Sequence, residues 1–291
     1  MSGIWHAIVE PGFFGSSVVH SAIAVGAIVA VVSGMVGVFT VIRSHSFAGE
    51  ALGDIGSTGG SAAYLLGVSP LVGFLGLSLV GAGLMSVTGT RSRKARDIDT
   101  GIVVGGALGL AALFLYLDTT QSNTTGASVT ILFGSIFTVP AHTLPAVLGL
   151  GTGTLVVLFA LYRMLLLTSL HPDLAEARGT SVRLVGIAYL ALLAVAVSLS
   201  AITIGAILST ALLIGPPAAA LRLTDSPGRA ILLAAVIGVA CTWLGILLAY
   251  DSASWPHQHG WPASFLIVAV ILLAYLLARM FGRDIRRPAF G

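Results

Sequence analysis

The chain has 291 residues, 56% of them hydrophobic and 9% charged, and its mean hydropathy is +1.02. A soluble domain covers its surface with about 25% charged residues, so lipid is the main solvent and no soluble catalytic domain fits between the apolar runs. The single cysteine, Cys241, excludes a disulfide framework or a cysteine metal cluster within one chain, and the net charge of +3 is a matter of membrane orientation, not of nucleic acid.

The first fifteen residues carry no lysine or arginine and no small-residue cleavage site after a short apolar core. They read as an interfacial lead-in with Trp5, His6, Phe13 and Phe14, not as a cleaved signal peptide. Spans are expected near 17–42, 47–67, 70–89, 100–117, 142–165, 183–201, 203–221, 230–250 and 263–281, each close to the roughly 20 residues that cross a bilayer. The fold class is therefore an all-α membrane protein, a polytopic bundle of about nine helices, or eight if one marginal segment does not cross. One transmembrane domain, 1–291, accounts for the chain.

The fourteen basic residues fall in or beside alternate connections: Arg43; Arg91, Arg93, Lys94 and Arg96; Arg163, Arg178 and Arg183; Arg222 and Arg229; Arg279, Arg283, Arg286 and Arg287. The connections between them, around Ser69, from Asp118 to His142, from Ser200 to Ile202 and from Asp251 to Pro262, contain none. The positive-inside rule then places the C-terminus in the cytoplasm and the N-terminus outside the cell membrane. The 36 glycines cluster at helical spacing, as at Gly53, Gly56, Gly59 and Gly60, where small residues let helices approach closely in lipid.

Of the eleven acidic residues only Glu50 and Asp54 fall inside an expected span. A carboxylate there costs several kcal/mol and marks a water-filled path or a partner. Four residues apart, the two share a helix face. Counted from Arg43 they lie about 10 and 16 Å in, near the middle of a core about 30 Å thick. Side by side they hold a shared proton or a cation, and hard oxygen ligands suit Mn²⁺, Fe²⁺, Mg²⁺ or Ca²⁺, with Zn²⁺ accepted too; the alternative is a pair of buried structural groups.

In the last outer loop, Asp251, His257 and His259 stand in AYDSASWPHQHGWP as a candidate entrance site, or simply as solvated residues; His20 and His142, at outer span ends, are weaker candidates. On the other side SLHPDLAEARGT, 169–180, has Pro172 at a first turn, Asp173 and Glu176 early and Gly179 at the end. That is the pattern of a short capped helix on the cytoplasmic side, either a partner's docking point or an ordinary loop helix. No phosphate-binding G-x-x-x-x-G-K-[ST] loop, H-E-x-x-H or G-x-S-x-G is present, so an enzyme is not expected and ATP hydrolysis would have to come from another subunit.

The run Phe47-Ala48-Gly49-Glu50-Ala51-Leu52-Gly53-Asp54-Ile55, with Gly59 in place, resembles the hallmark aromatic-x-Gly-Asp-Ala-Leu-Ser-His-Ala of the permease subunits of ABC importers for zinc, manganese and iron. Gly37 to Arg43 resembles that family's approach to the same helix, and Leu132-Phe133-Gly134, Asp173 to Gly179, and Gly205-Ala206-Ile207-Leu208 through Pro217-Ala218-Ala219 follow in the family's order. The resemblance covers about 17–281. It implies that Glu50 and Asp54 stand for the family's aspartate and histidine in the ion path, and that Pro172, Asp173, Leu174, Ala175, Glu176 and Gly179, within 167–182, form the segment that couples to the ATPase. It implies as partners a cytoplasmic ATP-binding subunit, an extracytoplasmic metal-binding protein and a second permease chain, identical or different, with no permanently bound cofactor. The transported divalent ion is then Mn, Fe or Zn. Gly53 stands where the family has serine, and aspartate in place of histidine leans toward manganese or ferrous iron, since carboxylate suits harder ions than imidazole. Import of a metal chelate and stand-alone proton-coupled metal transport remain the alternatives.

Overall fold

The computed structural model describes residues 17–87, 93–122, 126–134, 136–137, 143–252 and 260–282. Among the described residues the chain is helical throughout, as a backbone in lipid must be to satisfy its own polar groups. The helices are α1 (Ser17–Ile42), α2 (Ser46–Leu65), α3 (Pro70–Val87), α4 (Arg93–Ser122), α5 (Gly126–Phe133), α6 (Leu144–Leu170), α7 (Pro172–Ala177), α8 (Val182–Ile204), α9 (Ala206–Leu223), α10 (Pro227–Asp251) and α11 (Ala263–Phe281). Eight of the described helices are long and apolar enough to cross a membrane on length and composition alone; α2 is the long helix that falls short of that standard.

Helix directions show that α2 nonetheless runs through the bundle beside its spanning neighbours. It runs antiparallel to α3: Leu52 and Ile55 meet Gly81, Gly56 meets Phe74 and Ser78, and Gly59 meets Gly73. It runs parallel to α8 and antiparallel to α9, with Gly49 against Leu193 and Leu213 and Gly53 against Val197 and Ser209. Its 20 residues span about 30 Å. The low hydropathy has a physical reason: most of its length is covered by protein, so α2 needs small residues for close contact more than apolar ones for lipid. With α2 counted, the nine long helices among the described residues alternate in direction, which puts the described basic connections at one end of the bundle.

The packing is backbone to backbone at several crossings. A Cβ on Gly59 would strike the Gly73 carbonyl, and one on Gly73 would strike that of Gly59. Gly37 of α1 lies against the Leu213 carbonyl of α9. That carbonyl is the one Pro217, inside α9, leaves without its helical N–H donor. Central α1 runs along α10, where Gly34 touches Ala234 and Gly238 touches Ala30.

The structure corrects the expected boundaries in three places. The break expected around Ser200 to Ile202 falls at Gly205, a one-residue turn at φ +92 that reverses α8 into α9. The polar connection after the fourth span contains α5, and Gly134 at φ +76 stacks its backbone on that of Gly205, a contact only glycines allow. Finally, α4 continues to Ser122, and Asp118 is buried within it at 3% exposure instead of lying in a loop.

A candidate carboxylate site on α2

The neighbours of α2 leave one sector of the helix open. Gly49 and Gly53 face the α8–α9 hairpin, and Leu52, Ile55, Gly56 and Gly59 face α3. Ser78 Oγ of α3 donates to the Leu52 carbonyl at 3.0 Å. Further along, Thr58 Oγ1 donates at 2.7 Å to the Ala107 carbonyl of α4, which closes that side. Beyond it Ser57, Thr58 and Ser61 are buried. Glu50 and Phe47 stay exposed and Asp54 half-buried, on a strip of the first half of α2 that none of the described elements covers.

The pair stands four residues apart, about 6 Å along the axis, on one face. Asp54 lies about 12 Å from the start of α2 in a helix of about 30 Å, close to mid-bilayer. The Asp54 backbone carbonyl accepts from Ser57 Oγ at 2.7 Å. Among the described residues no group of three or more His, Cys, Asp or Glu gathers as a metal cluster. One chain thus offers two carboxylates on this strip, fewer than the about six oxygens a hard divalent ion takes.

Of the other candidates, Asp251 ends α10, His20 is exposed on α1, and His257, His259 and His142 lie outside the described residues. The segment with Pro172, Asp173, Leu174, Ala175, Glu176 and Gly179 forms as expected: α7 has Pro172 in its first turn and Asp173 after it, and Gly179 takes φ +75 where the chain turns toward α8. Ala175 is buried against the bundle while Asp173, Leu174 and Glu176 face outward. Sequence reasoning missed the polar assembly next to it, built from Arg43, Thr168, Ser169 and Tyr189. Its signal is faint: two hydroxyl residues at the end of one apolar run and a tyrosine in another.

The model of the ABC 3 transport family matches residues 16–282. The chain belongs to the ABC 3 transport family. Its ABC 3 relatives include the manganese transport system membrane protein MntC of Halalkalibacterium halodurans, 29% identical over 261 residues, covering 89% of this chain and 86% of that one. The manganese import system permease protein ScaB of Streptococcus pneumoniae is 31% identical over 235 residues, covering 79% of this chain and 80% of its own. Among solved structures, PsaBC from Streptococcus pneumoniae in complex with Fab superposes with a TM-score of 0.79 at 25% identity over 95% of this chain and 96% of that chain. An inward-facing metal-chelate type ABC transporter shares the fold, with a TM-score of 0.76 at 16% identity over 92% and 87% of the two chains. The chain is thus a polytopic membrane permease of this family.

Proposed function

We propose that this permease imports a free divalent transition-metal ion, manganese before iron or zinc, through a path lined by Glu50 and Asp54. The observation that carries the reading is the open strip of α2: two carboxylates at mid-bilayer depth, left uncovered by a bundle that buries every other residue from Gly49 to Ser61. A carboxylate facing lipid costs several kcal/mol, so that strip faces a second permease chain and a hydrated path. Two such chains bring four carboxylates together, a set of hard oxygen ligands that suits Mn²⁺ or Fe²⁺. The relatives named for manganese transport support the same ion class.

In this reading Pro172 to Gly179 docks a cytoplasmic ATPase, a binding protein delivers the ion outside, and the N-terminus lies outside with the C-terminus in the cytoplasm. Helix directions and the one-sided basic connections support that orientation. The carboxylates take the place of the ion's water while the path switches sides, and their spread over two chains keeps the hold weak enough for release.

The test is uptake of ⁵⁴Mn²⁺, ⁵⁵Fe²⁺ and ⁶⁵Zn²⁺ by vesicles holding the permease, its co-encoded ATPase and the binding protein. Saturable ATP-dependent uptake of one ion, lost in Glu50→Gln and Asp54→Asn while the complex still assembles, is the expected result. Uptake only of a chelated metal, uptake without the ATPase, or normal transport by the double variant would sink the reading.

A further inference from the structure

At the end of the bundle that carries the basic connections, one side chain joins three helices. Arg43 follows α1; its Nε donates to Ser169 Oγ at 2.7 Å, and its Nη2 donates to Thr168 Oγ1 at 2.6 Å and to the Leu165 carbonyl at 3.3 Å, all in the last turns of α6. The guanidinium lies over the Tyr189 ring of α8, 4.8 Å from its centroid. Tyr189 is fully buried and donates to Thr40 Oγ1 of α1 at 2.9 Å. His45 packs on the same ring, 5.7 Å between centroids, and His45 is the N-cap of α2, its carbonyl taking the Gly49 N–H at 3.0 Å. The next residue is Glu50.

The two helices that Arg43 grips are the two between which α7 is slung. Ser169 stands just before Pro172, and α8 begins just after the turn at Gly179. Within the segment the Ala175 N–H bonds to the His171 carbonyl at 3.1 Å and its carbonyl accepts from Thr180 N–H at 2.9 Å, while its side chain is fully buried. The segment is thereby a compact unit that continues from His171, the shared cap of α6 and α7, to the residue before the N-cap of α8. Between the grip and the carboxylates lie Ser44, a non-glycine residue at φ +54, the N-cap His45 and the first turn of α2. A planar guanidinium fork fixes the direction of its partners, so the ends of α6 and α8 and the start of α2 are set relative to one another by one group.

We infer that Arg43 is the positioning residue through which movement of the α7 segment reaches Glu50 and Asp54. It binds segment and carboxylate helix into one body, so that a push on the first tilts the second. The inference rests on the transport reading above. The geometry contributes what that reading lacks, a physical connection between the docking segment and the ion path.

The experiment compares wild type, Arg43→Ala and the pair Arg43→Cys with Ser169→Cys in the full complex, with the pair read before and after a short bis-methanethiosulfonate cross-linker. Copurification of the ATPase, Mn²⁺ binding, basal ATP hydrolysis and its stimulation by the binding protein are measured beside ATP-driven uptake. Arg43→Ala is expected to keep the ATPase, the Mn²⁺ binding and the basal hydrolysis, and to lose at least about 10-fold in uptake along with the stimulation. The cysteine pair is expected to behave likewise until the cross-linker restores uptake. Arg43→Ala uptake within about twofold of wild type overturns the inference, as does loss of the ATPase from the variant complex or failure of the cross-linker to restore transport. A wild-type complex without ATP-driven uptake overturns the transport reading itself, and the inference with it.

Discussion

Glu50 and Asp54 stand out in the sequence because a charge inside a membrane span costs several kcal/mol and calls for a path, a partner or a structural bond. The structure adds that they share an uncovered strip of α2. The site's chemistry makes a prediction at this scale: ligand type selects the ion. Replacing a carboxylate oxygen by an imidazole nitrogen favours borderline metals over hard ones. Asp54→His is therefore expected to shift competition in the uptake assay toward Zn²⁺ by about one order of magnitude relative to Mn²⁺, with uptake retained. An unchanged Mn²⁺ to Zn²⁺ ratio would remove Asp54 from the ligand set. Asp118 shows where residue reading fails. At the edge of an apolar run a burial of 97% and a place in a loop look alike in one dimension, and only the extension of α4 past it to Ser122 decides.

Helices were legible as elements because about 20 apolar residues in lipid have few other folds available. Their ends and the short α5 were not, since an apolar run such as Ser198 to Ile204 carries no break signal short of Gly205. The glycine cluster of α2 is a contact surface as expected, but not every clustered glycine is. Gly59 and Gly73 lie backbone to backbone, while Gly76, on the same helix as Gly73, has nothing within 4 Å of a Cβ position. Gly59→Val is expected to force α2 and α3 apart at a cost of about 1–3 kcal/mol or more, seen as a clear drop in melting temperature of the detergent-solubilised permease. Gly76→Ala is expected to leave it unchanged or slightly raised, by the roughly 1 kcal/mol of helix propensity that alanine gains over glycine. Equal effects at the two positions would mean that the α2–α3 crossing does not hold the carboxylate helix in place.

For the whole molecule, the exposed face of α2 poses a question one chain does not answer. Phe47 is 43% exposed beside Glu50, and Met280 on α11 is 77% exposed; by exposure alone both face lipid equally well. The carboxylates break that equivalence, because lipid does not solvate a charge and another protein face does. Closed assemblies of two chains pair the same patch on each, so the proposed path predicts that the strip with Phe47 meets its counterpart across a two-fold axis. Cysteine placed at Phe47 is expected to cross-link two permease chains in native membranes with a short thiol-reactive bifunctional reagent, giving a band at twice the permease mass, whereas cysteine at Met280 gives none. Native Cys241, 4% exposed, does not compete. If the partner is a different permease, the same strip cross-links to it once a cysteine is placed at its corresponding position. Dimers linked at Met280 and never at Phe47 would turn the carboxylate strip away from the axis, and a path shared by two chains would have to be abandoned for one lying within a single bundle.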